Sequence, residues 1–453
     1  MTQAQSAPDS ARLQEIAGDL IQRAIKAGAD AAEASVGESR QTELSVRDGN
    51  LEDIERSESL DAGVRVFVGQ RQAGVAFSDL SDQGRQFTIE RAVAMAKAAP
   101  EDPYAALADP ARLCQDPPVL NLFEAVEWTP EELEAKAIAV EKAARAIEGV
   151  TMTDTAFASY GQGAAAYATT TGFNAGWRKS YFGYGASVIA GKDGAMERDY
   201  AATAARRTAD LKSIDEIGTE AGERTARRIG PQKIASGTMP VIFDRRVSTA
   251  FLSALSGAIS GPAVARGVSF LRDKMGEKVF ADGITILDDP HRAWGHAPCP
   301  FDGEGTVNHA RALISSGRLT SWFLTSSAAR QLNLEPTGHA RRNMGGPPGA
   351  GPTNLHLAAG TASRDDLISG AGEGLLVTEM FGPSLNANTG DWSVGVSGYR
   401  ITGGKIDHPV SEVTVAGNLI DIFAKLVPAS DLEFRGAVNA PSVCVDAISV
   451  GGL

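Results

Sequence analysis

The stretch TELSVRDGNLEDIERSESLDAGVRVFVGQRQAGVAFSD, residues 42–79, decides the fold. Apolar and polar side chains alternate on both sides of Asp48-Gly49-Asn50, which reads as two strands joined by a tight turn. The alternation resumes further on, and Gly69-Gln70-Arg71 marks a second turn. Successive side chains of a strand point to opposite faces, so Val64, Val66 and Val68 share one face while Arg65 and Phe67 take the other. An antiparallel sheet is therefore predicted here.

Helices are expected on either side of it. Asp9 or Ser10 can cap a helix in which Leu13, Ile16, Ala17, Leu20, Ile21, Ala24 and Ile25 recur every three or four residues, with Gly28 as its stop. A second helix is predicted over Arg85–Ala99, ended by Pro100 and Pro103. The Pro- and Asp-rich segment 100–128 reads as a long surface connection. Thr129-Pro130-Glu131-Glu132 then opens a helix running to Gly149, with Thr129 as N-cap, Pro130 at the first helical position and Glu132 completing a capping box. Strands rich in Thr, Ala and Tyr fill 151–204, and a helix covers about 213–229. The basic Arg224–Arg228 at its end complements the helix dipole.

Gly230-Pro231, followed by the polar Gln232–Thr238, is read as a boundary between domains at 1–230 and 239–453. Beyond it come a buried strand at Pro240–Phe243, a small-residue helix at about 246–260, hairpins turning at Ser316-Gly317 and Gly403-Gly404, and the closing strand SVCVDAISV. The predicted class is α+β: a helix-flanked antiparallel sheet followed by a strand-rich, partly barrel-like C-terminal domain. A chain of 453 residues has ample apolar material for two cores.

Bulk properties exclude some functions. The net charge of −13 repels phosphate backbones and argues against direct nucleic-acid binding. Cys114, Cys299 and Cys444 are odd in number and far apart, so neither a disulfide framework nor a CxxC pair is available. The opening MTQAQSAPDS lacks a basic segment followed by an apolar one, and no apolar run reaches the ~20 residues that span a bilayer. A cytoplasmic chain without a membrane segment is expected.

Few residue patterns suggest chemistry. His291, His296 and Cys299, with His309 further on, supply imidazole and thiolate ligands suited to zinc, but their spacing matches no standard site and they read equally as loop residues. The glycine-rich stretches 344–352 and 370–374 lack phosphate-loop spacing and read as flexible or closely packed backbone. Asp288-Asp289 offers general acid–base groups, although adjacent strand residues diverge, which favours a turn. Arg341, Arg342 and Asn343 form a polar cluster whose guanidinium pair could hold a peptide carboxylate, or else a structural ion pair. No GxSxG elbow occurs.

Three blocks resemble one family. VRDGNLEDIERSESLDAGVRVFVGQRQAGVAFSDLS (46–81) resembles the N-terminal hairpin region of the TldD/PmbA family, and PTGHARRN (336–343) resembles the segment before that family's central loop. IDHPVSEVTVAGNLIDIF (406–423), with the closing AISVGGL, resembles its C-terminal signature. The family carries an old label as modulator of DNA gyrase and is now regarded as a peptidase system. One branch, TldD, bears HExxxH on a helix, completed by a cysteine near the C-terminus. Here the corresponding helix reads Ser253-Ala254-Leu255-Ser256-Gly257-Ala258, so Ser253, Ala254 and Ala258 stand where the ligands and base would be. FRGAVNAPS offers no cysteine, and Cys444 is expected to pack within its strand. Ser253 has no nearby histidine to activate it.

The resemblance thus implies the PmbA (TldE) branch, with no catalytic residue and no cofactor on this chain. Zinc is expected on a TldD-type partner. It implies dimers, homomeric or heteromeric, enclosing a chamber for short or unfolded peptides. The alternative is a homodimeric, non-proteolytic binding or regulatory protein of the gyrase-modulator type.

Overall fold

A computed structural model describes residues 8–192 and 194–452. Residues 1–7 of the opening segment, and Leu453 of AISVGGL, lie outside the described residues. The N-terminal part is one antiparallel sheet of six strands: β1 (Ala31–Arg47), β2 (Asn50–Val68), β3 (Arg71–Phe77), β4 (Val150–Thr169), β5 (Asn174–Ala190) and β6 (Glu197–Ala205). Their order across the sheet is β3-β2-β1-β4-β5-β6. Asp48 and Gly49 both have positive φ, 52° and 74°, which is the two-residue turn that matches strand twist. Gly69, at φ 57°, makes the turn into β3.

Four helices cover one face: α1 (Ser10–Lys26), α2 (Asp82–Ala98), α3 (Pro130–Arg145) and α4 (Ile214–Ala226). Asp9 caps α1 by accepting from the Ala11 N–H. The Thr129 capping box of α3 is present in both directions. Even-numbered residues of β1, β2 and β4, among them Ala34, Val64 and Ala166, pack with α1 and α2 in one core. Leu44, Val46, Ala156, Ala158 and Phe182 pack with α3 and α4 in a second. Parity therefore puts every helix on the same side and leaves the odd-numbered face free for other contacts. On that face large side chains of β5 lie opposite small ones of β4: Tyr181 pairs with Gly161, Lys179 with Gly163, and Trp177 with Ala165. Ile25, expected in the α1 stripe, is 40% exposed while Ala24 beside it is fully buried, because at about 100° per residue it turns away from the buried face.

The C-terminal part opens with β7 (Gly237–Phe243). It lies between the strands Gly374–Leu385, which is parallel to it, and Val443–Gly451. Strands Asp391–Thr402 and Lys405–Asn418 continue the sheet, and Thr414–Ala416 then pairs with Ser449–Gly451 to close a five-stranded barrel. Its interior holds Val241, Phe243, Val377, Val396 and Val445 in a core shared with Phe251, Leu252 and Leu255 of helix α5 (Thr249–Ala258). A smaller sheet runs beside it through Arg311–Ser315, Ile286–Asp288 and Leu355–Leu357. The class expected from the sequence is the one observed.

Segment 100–128 needs correction. It is not simply a surface connection, because Ala108, Leu113 and Cys114 are buried with Tyr167, Phe173 and Phe301. It ties the free face of the N-terminal sheet to loops of the C-terminal part. Leu113 bridges Thr306, and the Cys114 N–H donates to the Gly305 carbonyl. Apolar residues spaced through a Pro-rich stretch lack a helical or strand period, which is why the sequence did not reveal their burial. Among the described residues, no helix is long and apolar enough to cross a membrane.

Candidate functional site

The odd-numbered face of the sheet meets the loops of residues 288–309 and 336–354, and many buried polar groups gather there. Glycines set the distance of approach. The backbone of Gly345, at φ 72°, lies directly on β2 and β3. A Cβ on Gly63 would come within 2.1 Å of the Gly345 nitrogen, and one on Gly74 within 1.5 Å of its carbonyl oxygen. Met344 beside it reaches Ser35, sulfur to hydroxyl at 3.4 Å. At Gly345 the glycine-rich stretch 344–352 is thus closely packed backbone, the second of the two readings its composition allowed, whereas Gly349 has open space around it.

That contact carries Arg342 into the sheet. Glu33, 2% exposed, receives Arg65 at 2.6 Å and the Tyr167 hydroxyl at 2.6 Å, and Arg342 completes the cluster through both carboxylate oxygens. Burial by itself would raise the Glu33 pKa; the charges of Arg342 and Arg65 outweigh it and bring the carboxyl down to about 2. Arg342 also stacks on the Tyr167 ring at 4.2 Å. Of the three residues proposed to grip a peptide carboxylate, Arg342 is therefore engaged in a structural ion cluster. Arg341 donates to the Cys299 sulfur at 3.4 Å, and Asn343 is exposed and donates to the Pro347 carbonyl. The three side chains do not converge: each has a different partner, Cys299, Glu33 and Pro347.

The zinc candidates do not converge either. His291 bonds Asn308 at 2.8 Å, His309 is exposed, and Cys299 lies beside Arg341. His296 is held below its usual pKa by burial and then by the charge of Arg206. Among the described residues, no three His, Cys, Asp or Glu side chains come together in a way that could hold a metal ion. The Cys299 thiol is pushed up, first by burial.

Helix α5 is the position where the resemblance places HExxxH. The Ser253 hydroxyl donates to the Thr249 carbonyl and the Ser256 hydroxyl to the Leu252 carbonyl, each one helical turn back. Ala254 and Ala258 have no donor atom, and Ala258 is buried in the barrel core. These side chains do not fit a zinc ion, which needs imidazole, thiolate or carboxylate ligands. Cys444 sits in the closing strand opposite Ile242 and packs with Ile368 and Leu376. Its thiol is raised to about 11, mainly by burial.

Asp302 and Glu304, like Glu33, are buried acids that were not singled out from the sequence. Asp302 accepts from the N–H groups of Glu304, Thr306 and Ala340. Burial, then the charge of Glu304, pushes its pKa up to about 7 despite those donors. Glu304 in turn accepts from the Ser326 N–H and hydroxyl, both at 2.8 Å. The run Phe301-Asp302-Gly303-Glu304-Gly305 reads as an ordinary turn, so only its spatial neighbours reveal that its acids are buried. Asp288 accepts twice from Thr353 and lies 3.5 Å from His339, whose other nitrogen bonds Thr337. The order Asp288-His339-Thr337 has the outline of a nucleophilic triad. However, the Thr337 hydroxyl donates to the Trp322 carbonyl and accepts from the Leu324 N–H, and His339 is buried. This is a structural network. Asp289 accepts from the His291 N–H in a turn, which is the second of its two sequence readings.

Comparisons with known proteins agree along the whole chain. Profiles described as PmbA/TldA metallopeptidase domain 1, central domain and C-terminal domain match residues 32–96, 124–229 and 236–452. The metalloprotease PmbA of Escherichia coli O157:H7 is 34% identical over 93% of this chain and 92% of its own length. A crystal structure of a candidate modulator of DNA gyrase from Bacteroides thetaiotaomicron superimposes with a TM-score of 0.89 at 26% identity, covering 97% of this chain and 99% of that one. TldE from Thermococcus kodakarensis, 20% identical, shares the fold with a TM-score of 0.86 over 96% of this chain and all of its own. Sequence and fold together show that this chain belongs to the PmbA/TldA metallopeptidase family, the TldD/PmbA family of the sequence resemblance.

Proposed function

We propose that this chain is the zinc-free, PmbA/TldE-type subunit of a heteromeric peptidase, with the catalytic zinc on a TldD-type partner. The single observation that carries the reading is the chemistry of α5. Ser253, Ala254 and Ala258 can neither bind zinc nor act as a base, and the hydroxyl of Ser253 is already bonded to its own helix. Zinc in such enzymes lowers the pKa of its bound water and polarises the peptide carbonyl. This chain's own residues on α5 cannot supply either effect, and its buried Asp302 is wrapped by three backbone donors.

In this reading the chain forms part of a chamber wall for short or unfolded peptides. The N-terminal sheet supports it, since β6 has an outer edge on which an extended backbone can add by main-chain hydrogen bonds, with little demand on sequence. The acidic chain acts in the cytoplasm and does not contact nucleic acid. The test is native mass spectrometry of the chain mixed with a TldD-type subunit. A stoichiometric heteromer carrying zinc, with none retained by this chain alone, is expected. Zinc held by the isolated chain, or failure of the two to associate, contradicts the reading.

A further inference from the structure

Between β6 and two loops of the C-terminal part runs a groove unrelated to α5 or to the Glu33 cluster. Its larger section, about 440 Å³, is lined by Ala204, Arg207, Arg292, Trp294, His296 and Phe434. A second section of about 240 Å³ continues it, sharing Ala204, Asp210 and Phe434. One wall is the last strand of the sheet, and among the described residues no strand pairs with its outer edge.

The rest of the lining is cationic and aromatic. Arg207 lies over Trp294 at 4.9 Å and is bound by both oxygens of Asp210, at 2.6 and 2.8 Å. Arg292 lies over Phe434 at 3.3 Å, and no carboxylate pairs with it among the described residues. Four cations (Arg207, Lys212, Arg292 and Arg435) face two carboxylates (Asp210 and Glu433) along the groove. The balance is positive in a chain whose net charge is −13. His296 adds no charge near neutrality, since burial and Arg206 hold it in the neutral form.

An aromatic ring holds the Arg292 guanidinium in place while its edge stays free, and a guanidinium edge pairs with a carboxylate through two parallel hydrogen bonds. We infer that this groove binds an extended peptide that adds to the edge of β6 and places a carboxylate on Arg292. That carboxylate is either the peptide's C-terminus or an acidic side chain. The inference takes the peptide ligand from the proposed function and names the chemistry this chain recognises in it.

The isolated chain is titrated with fluorescein-labelled, Val/Thr-rich octapeptides in three forms: C-terminal acid, C-terminal amide, and amide with one internal glutamate. One carboxylate form binds at least about tenfold tighter than the neutral amide. Arg292→Gln removes that preference, so that acid and amide forms bind alike, whereas Arg292→Lys keeps part of it. Alternate N-methylation of the peptide backbone weakens every form. The inference is overturned if the parent chain does not prefer a carboxylate, if Arg292→Gln retains the preference, or if N-methylated peptides bind equally well. No partner and no cleavage enter the measurement, so a failed titration and a failed heteromer are separate results.

Discussion

Replacing Glu33 by Gln removes the one negative charge between two arginines in the joint of sheet and loop. Arg65 is 5% exposed and Arg342 mostly buried, so both guanidinium groups would remain desolvated without the carboxylate they share. A carboxyl that ionises at about 2 in place of 4.5 is favoured in its charged form by about 3 kcal/mol. Removing one partner of a buried ion pair costs about 3–5 kcal/mol, so the two routes agree. The sign follows from the lowered pKa. The stabilisation is complete above 4.5 and is lost as pH falls through the folded-state value of about 2. Urea unfolding followed by tryptophan emission, at a series of pH values from 7 to 2, gives the difference between parent and Glu33→Gln. About 3 kcal/mol is expected at pH 7, shrinking as pH drops below 4.5. A difference under about 1 kcal/mol at pH 7, or one that does not change with pH, would refute the reasoning.

Three other outcomes are expected. Gly74→Ala puts a methyl group 1.5 Å from the Gly345 carbonyl oxygen, and it lowers stability by about 3 kcal/mol or more while making the 340–350 loop cleavable by added protease; an unchanged midpoint contradicts the close approach. Thr129→Ala removes the N-cap of α3 and costs about 1 kcal/mol, read as a shift in urea midpoint. Cys444, with its thiol raised to about 11, reacts with iodoacetamide at pH 8 far more slowly in the folded chain than in urea; equal rates in both states contradict its placement.

Local signals made much of the fold legible. The turns at Asp48-Gly49 and Gly69, the helix opened by Thr129-Pro130 and the hairpin at Gly403-Gly404 each depend on neighbouring residues, and sequence carries such information directly. The Glu33 cluster was out of reach because Arg342 lies 309 positions away. One half of it was visible, since Arg65 stands between Val64 and Val66 on a strand whose other face is also buried. His291, His296 and Cys299 were near in sequence, but turns separate them in space. Arg292 drew no attention among those histidines, and only its stacking on Phe434, 142 positions away in the chain, distinguishes it.

One assay tests the division of labour between subunits most directly: cleavage of an unfolded peptide by this chain alone, by a TldD-type subunit alone, and by the two together, with and without a zinc chelator. Chelator-sensitive cleavage is predicted only where the TldD-type subunit is present, and it is raised by adding this chain. Robust chelator-sensitive cleavage by this chain alone would contradict the division of labour read from Ser253, Ala254 and Ala258.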